Sequence, residues 1–428
     1  MLRTHTARII GATIVAGILA GLGAVGFHYV ADSLGEMLLG WATAQTTATR
    51  LPYIVLVPTA GLFLIGWFLQ TFPESRIGGV LEVLDSLGLQ QGKIHVVRLL
   101  NVLMSALVLA VGGSVGPEGP MVQLGALAGS QSGQWFGLSG DTLRTMVRAG
   151  TAAGIAAAFR SPAGGVMLTL EIFGAKLDRD LTAIATAAGI GYILRTTLLG
   201  DAYPFQPVDP MDPLPILTLF TVVPLMGLLA APTGHFFIRM FALLPKAFPE
   251  AWPLWLRVTA GGVAVGVLGI WFPQIMSAGY PTILAGIRGQ IGVTLFVILL
   301  VLKMLATSIT FGSGAVGGLF APTLVIGSLF GGAFGYGLHA VFPSAVPQPE
   351  LFVLMGMIVM FGSIVKGYLS GLFMIADMSG CYHQLLLPGV IAGGISYLVS
   401  WELHDRSIFG LTLNQAAPAS EENIAERN

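Results

Sequence analysis

Charge is scarce in this sequence. Asp, Glu, Lys and Arg make up 10% of its 428 residues, where soluble domains carry roughly 25%. A water-soluble chain so poor in charge could not cover its surface with polar groups. Lipid is the solvent that removes that demand. The few charges nearly cancel, at a formal net −1, so no strongly acidic or basic surface points to nucleic acid. A single cysteine, Cys381, rules out an intrachain disulfide and any cysteine-based metal cluster; it reads as a small hydrophobe in a packed helix. The seven histidines contain no His-x-x-x-His pair, and no Ser/His pair stands out. That argues against an intramembrane enzyme.

What is present in abundance is apolar sequence: 54% of residues are hydrophobic and the mean hydropathy is +0.82. Apolar runs recur near 9–30, 52–71, 96–115, 144–174, 181–199, 214–231, 254–275, 291–311, 319–341, 351–364 and 385–401. The first is about 20 residues, longer than the apolar stretch of a signal peptide. Arg3 and Arg8 ahead of it predict a cytoplasmic N-terminus. Several runs are too short or too interrupted for a simple span of about 20 residues. The interruptions, at 112–120, 161–165 and 312–322, are rich in Gly and Pro. Broken helices at membrane depth are tolerated where they face protein or line a polar cavity, and transporters build ion sites from them. The sequence therefore predicts an all-α polytopic membrane protein, one transmembrane domain over 1–428. Its first half covers about 9–200. A linker with Asp201, Asp209, Asp212 and four prolines covers about 200–213, and the second half about 214–410. The polar tail 414–428 is too short for a regulatory cytoplasmic domain.

An internal match divides the chain in the same way. Gly116-Pro117-Glu118-Gly119-Pro120 is followed by Gly125, and Gly318-Leu319-Phe320-Ala321-Pro322 by Gly327 at the same offset. Gly165 precedes Glu171 by six positions, and Gly371 precedes Asp377 by six. Two matched pairs in the same order imply a duplicated membrane unit, which in transporters is commonly inverted, with the site at the interface of the halves. Asp377 then reads as a repeat-related structural acid, while His95 and Arg98 read as membrane-interface residues.

Glu118 is the residue with the clearest chemistry. A carboxylate inside an apolar region costs roughly 2.5–3.5 kcal/mol on insertion scales and is functional by default. Pro120 suits the first turn of a helix, predicted from Gly119 through about Leu127. Its N-terminal amides carry positive dipole, for which an anion or the Glu118 carboxylate is a natural partner. Gly318–Pro322 repeats the device without a charge, with Phe320 as a wall that keeps the site partly dry. A third break, Gly78-Gly79 before Val80, also looks like a helix start with bare amides. Converging on one point, the three would hold an anion without a fixed positive charge, favourably but shallowly, as conduction requires.

At these residues the chain resembles the CLC family of chloride channels and chloride/proton antiporters. The Gly-x-Glu-Gly-Pro and Gly-x-Phe-x-Pro motifs stand as Gly116–Pro120 and Gly318–Pro322. Ala152–Phe159 with Pro162, and Ser313–Gly318, match further, so that the resemblance covers about 9–410. It implies an inverted-repeat fold, a homodimer with a separate pore in each subunit, and no cofactor. Chloride, or fluoride or another halide, would be the transported ligand, and lipid and a second copy the partners. The location implied is a bacterial inner membrane. Glu118 matches the gating glutamate. Gly78, Gly79, Gly116, Pro117, Gly119, Gly318, Leu319, Phe320 and Ala321 fall in the anion-binding motifs. The family's central tyrosine is matched by Tyr382, with His383 as a competing candidate.

The departures are specific. Gly78 stands at the position of a coordinating serine and Leu81 at that of the motif's proline. Pro117 replaces the usual Arg or Lys. Ile172 falls where antiporters of the family carry an inward-facing glutamate, next to Glu171. The resemblance then implies channel-like chloride transport with a glutamate gate. The alternative is a chloride/proton or fluoride/proton antiporter that admits protons by way of Glu171, His383 or water.

Overall fold

In lipid every backbone N–H and C=O must be satisfied inside the protein, so apolar runs become helices. The computed structural model describes residues 2–40, 47–176, 180–207, 211–404 and 406–411. The tail 414–428, Asp209 and the side chain of Arg3 lie outside the described residues. Sixteen α-helices account for most of the rest. The first eight are α1 (Leu2–Gly35), α2 (Thr47–Thr71), α3 (Val80–Gly88), α4 (Leu99–Ala110), α5 (Glu118–Trp135), α6 (Gly140–Phe159), α7 (Pro162–Glu171) and α8 (Leu181–Leu199). The second eight are α9 (Ile216–Leu243), α10 (Leu254–Trp271), α11 (Tyr280–Ile287), α12 (Val293–Gly312), α13 (Phe320–Val341), α14 (Pro349–Met360), α15 (Tyr368–Ser379) and α16 (Tyr382–Leu403). Among the described residues, eight helical segments are long and apolar enough to cross a membrane, and the chain is a multi-span membrane protein.

The two sets of eight follow the same order. In each, a span is followed by a three-residue 3-10 turn opening on proline, Pro73–Ser75 and Pro273–Ile275, and then by a short helix, α3 or α11. The linker falls between α8 and α9. Orientation is fixed by α7 and α15. Glu171, the last residue of α7, accepts hydrogen bonds from Leu369 N and Ser370 N in the first turn of α15, at 3.1 and 2.7 Å. Asp377, near the end of α15, accepts one from Ser161 Oγ at 2.6 Å, and Ser161 is the N-cap of α7. Each helix thus places its C-terminal acid on the other's N-terminus, which only an antiparallel pair can do.

Three expected runs differ in detail. The run 144–174 is two helices, because Arg160 takes a left-handed conformation (φ 56°) and Ser161 caps a new helix that opens on Pro162. The run 96–115 is a 3-10 turn, Val96–Arg98, followed by the twelve residues of α4. The run 351–364 is α14 continued by a π-helical turn, Phe361–Val365. Helices α5, α11 and α15 did not stand out as apolar runs. In α5 the reason is that glycine replaces greasy side chains. Gly125, Gly129 and Gly133 bring its backbone against Gly150, Met146 and Leu143 of α6, where a Cβ would collide. Gly327, Gly331 and Gly335 of α13 do the same against Gly356 and Phe352 of α14. Small residues four apart are how membrane helices approach closely.

Candidate functional site

The three Gly/Pro breaks come together. Gly116 N donates to Gly318 O (2.7 Å) and Gly318 N to Gly116 O (2.9 Å), an isolated antiparallel bridge that ties the start of α5 to the start of α13. At Gly119 a Cβ would lie 2.7 Å from Gly318 Cα, and at Gly79 one would lie 3.5 Å from Gly119 Cα. Gly79 holds φ at 62° as the N-cap of α3, a left-handed value that glycine adopts without strain. A cavity of about 110 Å3 is lined by Gly78, Val80, Asn101, Gly119, Gly317, Gly318, Leu319 and Phe409, among others.

Glu118 opens α5 and is 1% exposed. Its Oε2 accepts a hydrogen bond from Ala321 N in the first turn of α13 (3.2 Å) and lies against Gly116. Its Oε1 is buried with no hydrogen-bond partner. The carboxylate therefore sits on the positive end of a helix dipole, in the place where that dipole would hold any other anion. Pro117, on its other flank, lines a second cavity of about 270 Å3 with His28, Asp32, Glu36, Ser277 and Gly279. Glu118 is thus buried where chain neighbours reach two different cavities: Gly119 lines the first and Pro117 the second.

Phe320 is fully buried. Its ring meets Phe159, Phe361 and Phe409 at centroid separations of 6.4, 5.5 and 5.3 Å. The ring beside Phe320 that also lines the first cavity is Phe409. Tyr382 lies elsewhere: its hydroxyl hydrogen-bonds Asp377, in the cluster where Asp377 meets Ser161. His383 is exposed and lines neither cavity. Glu171 is held by Leu369 N, Ser370 N and the Ser370 hydroxyl, and Ile172 packs against the hydrophobic core.

Four residues at or beside the site were not picked out by motif. Gln123 of α5 accepts from Gly79 N (2.9 Å) and donates to Arg98 O (3.1 Å), so one of the bare amides of the third break is taken. Asn101 of α4 packs on Gly78. Phe409 lies in a helical turn, 408–411, that follows α16. Lys303, fully buried in the middle of α12, donates to Ile275 O (3.0 Å) and Ser277 O (2.8 Å), which sets its ammonium beside Gly279 on the wall of the cavity at Pro117. A lysine inside the apolar run 291–311 was a legible signal, since buried membrane charges are rare and functional. The other three carry no such mark.

Known proteins place this geometry. The family model described as voltage gated chloride channel matches residues 61–401. The chain is 30% identical over 418 residues to a putative chloride channel protein ClcB-like from Ralstonia nicotianae, covering 93% of this chain and 96% of that one. It is 30% identical over 420 residues to the voltage-gated ClC-type chloride channel ClcB of Escherichia coli, covering 94% and 97%. Among solved structures, a slow cyanobacterial Cl-/H+ antiporter superposes with a TM-score of 0.87 at 22% identity, covering 97% of this chain and 99% of that one. A CLC-type fluoride/proton antiporter superposes with a TM-score of 0.79 at 24% identity, covering 95% and 97%. By fold and by sequence over most of its length, the chain belongs to the CLC family of voltage-gated chloride channels and related ion transporters, whose members are not enzymes.

Proposed function

We propose that this protein conducts chloride passively past Glu118, which acts as a tethered anion gate. The observation that carries the reading is the Glu118 carboxylate on Ala321 N, at the N-terminus of α13. A permeating anion and this carboxylate compete for the same amides. Protonation removes the charge of Glu118 and weakens its hold, so acid opens the path. Ile172 is apolar, and Glu171 caps α15 through three donors, so neither supports a second proton carrier. The working unit in this reading is a homodimer in the bacterial inner membrane with a cytoplasmic N-terminus.

A second reading, proton-coupled exchange of chloride or fluoride, has its own support. His28, Asp32 and Glu36 border the cavity at Pro117, so titratable groups line one approach to Glu118. The two solved relatives with this fold named above are described as antiporters. One experiment separates the readings. Purified protein in liposomes is given a chloride gradient while chloride and pH are recorded together. The gate-only reading expects chloride movement with no uphill proton flow. Uphill proton movement establishes exchange instead, and the same assay with fluoride tests the remaining choice of anion.

A further inference from the structure

Gly78 leaves the first cavity without a side chain at one of its motif positions, and the structure contains what takes its place. A Cβ built on Gly78 collides with the side-chain amide of Asn101, meeting its Oδ1 and Cγ and lying 2.7 Å from its Nδ2. The two residues compete for one space: a side chain at 78 would have to push the Asn101 amide off the position it holds. Asn101 reaches there from α4, is 3% exposed and lines the cavity together with Gly78, Gly119, Gly318 and Leu319. The lining is otherwise backbone and apolar side chains, apart from Arg76, which is exposed and whose guanidinium donates to Leu69 O and Gln70 O. Asn101 is therefore the one buried polar side chain on this cavity wall.

Its amide is also fixed. Nδ2 donates to Ser75 O at 2.7 Å, and Oδ1 accepts from Ser105 Oγ at 3.4 Å. An amide nitrogen carries two hydrogens, and one is spent on Ser75. Among the described residues nothing takes the second, and Asn101 lines the cavity. Fixed donors discriminate, because a ligand that cannot pair with them leaves a buried polar group unsatisfied.

We propose that Asn101 is the side chain that meets the anion in this cavity, and that the Gly78–Asn101 pair sets which small inorganic anion passes. The proposal rests on the anion-transport reading above. Asn101 is a specificity residue of the pathway, and glycine at 78 is the vacancy that admits it.

The test uses the full-length protein in liposomes, with efflux of chloride, nitrate and fluoride measured separately for wild type, Asn101→Ala, Gly78→Ser and the double variant. Asn101→Ala is expected to change the chloride-to-nitrate flux ratio by about fivefold, the factor one net hydrogen bond typically contributes. Gly78→Ser alone is expected to lower the yield of folded protein, and adding Asn101→Ala to restore it. An Asn101→Ala protein with wild-type ratios for all three anions overturns the specificity role. Normal folding and flux in Gly78→Ser with Asn101 retained overturns the competition for that space. Should Asn101→Ala not fold, Asn101→Asp keeps the shape and replaces the donor with a carboxylate. Flux of every anion is then expected to fall by tenfold or more, because like charges at close range repel strongly, and undiminished flux in that variant also refutes the proposal. A wild-type protein that moves no anion at all would instead remove the transport reading itself.

Discussion

Gly116 and Gly318 exchange two backbone hydrogen bonds, each N–H donating to the other's carbonyl at 2.7 and 2.9 Å. They are equivalent positions of the two repeat motifs, so the interface of the halves is stitched at the point where the helix dipoles of α5 and α13 begin. Glycine is demanded there by contact. A Cβ on Gly318 would lie 2.6 Å from Gly119 N and 2.7 Å from Gly116 O, both backbone atoms that cannot swing away. Gly318→Ala is expected to cost at least about 2 kcal/mol of stability and to abolish anion flux. Gly189→Ala, on α8 with open space around it, is the control, stabilising by up to about 1 kcal/mol through helix propensity. Thermal unfolding of the detergent-solubilised proteins checks both.

Glu118 makes the sharpest functional prediction. Glu118→Ala removes the tethered competitor from Ala321 N, so chloride flux at neutral pH should rise, by about tenfold if the tether holds with 1.4 kcal/mol. The acid activation expected of the wild type should vanish with it. Efflux measured from pH 4.5 to 8 decides the matter: a Glu118→Ala protein that keeps the wild-type pH dependence places the gate elsewhere.

Glu118 and the glycines around it could be found in the sequence because they break a rule. Acid, Gly and Pro do not belong in the middle of an apolar run, and their repetition at Gly318–Pro322 removed the element of chance. Asn101 and Gln123 break no rule. An amide on a membrane helix becomes meaningful only when folding sets Asn101 against Gly78, or Gln123 against Gly79 N. Phe409 is similar, since a phenylalanine near the end of an apolar chain carries no signal until its ring meets Phe320. Conversely Tyr382 fits the local pattern, yet its hydroxyl is turned to Asp377. Sequence spacing gives the order of residues along a helix but not which cavity the helix end faces. The glycine ladder of α5 hid that helix for a related reason: close packing there demands residues that do not read as greasy, whereas α13 carries its ladder inside a run apolar enough to be read.

Lys303 links the packing of the site to its charge. Its ammonium neutralises no acid by direct contact but spans Ile275 O and Ser277 O, and Ser277 lines the cavity at Pro117. Lys303→Met leaves those carbonyls without their donor, at a cost of about 1–3 kcal/mol, and removes a buried positive charge beside the cavity at Pro117. If the charge acts through the gate, its loss leaves the closed, ionised carboxylate without a stabilising neighbour, so chloride flux should rise, and the rise should be much smaller in a Glu118→Gln background than in wild type. A double-mutant cycle on efflux rates measures that coupling, and additive effects would show that the lysine is only a structural prop.

Glu171 distinguishes a proton carrier from a helix cap. Its carboxylate accepts from Leu369 N, Ser370 N and the Ser370 hydroxyl, and its counterpart Asp377 takes Ser161 Oγ at the other end of the same helix pair. A cap acts on stability. Glu171→Ala should therefore lower stability by about 1–2 kcal/mol, and Glu171→Gln, which keeps an acceptor oxygen, by less. Neither should alter the ratio of protons to chloride moved in the paired pH and chloride recording. A carrier would behave in the opposite way: Glu171→Gln would leave the fold as stable as wild type and change the ratio. The symmetry argues for the cap, because a group that left its helix N-terminus on every turnover would uncouple α7 from α15 each time, while Asp377 held the far end closed.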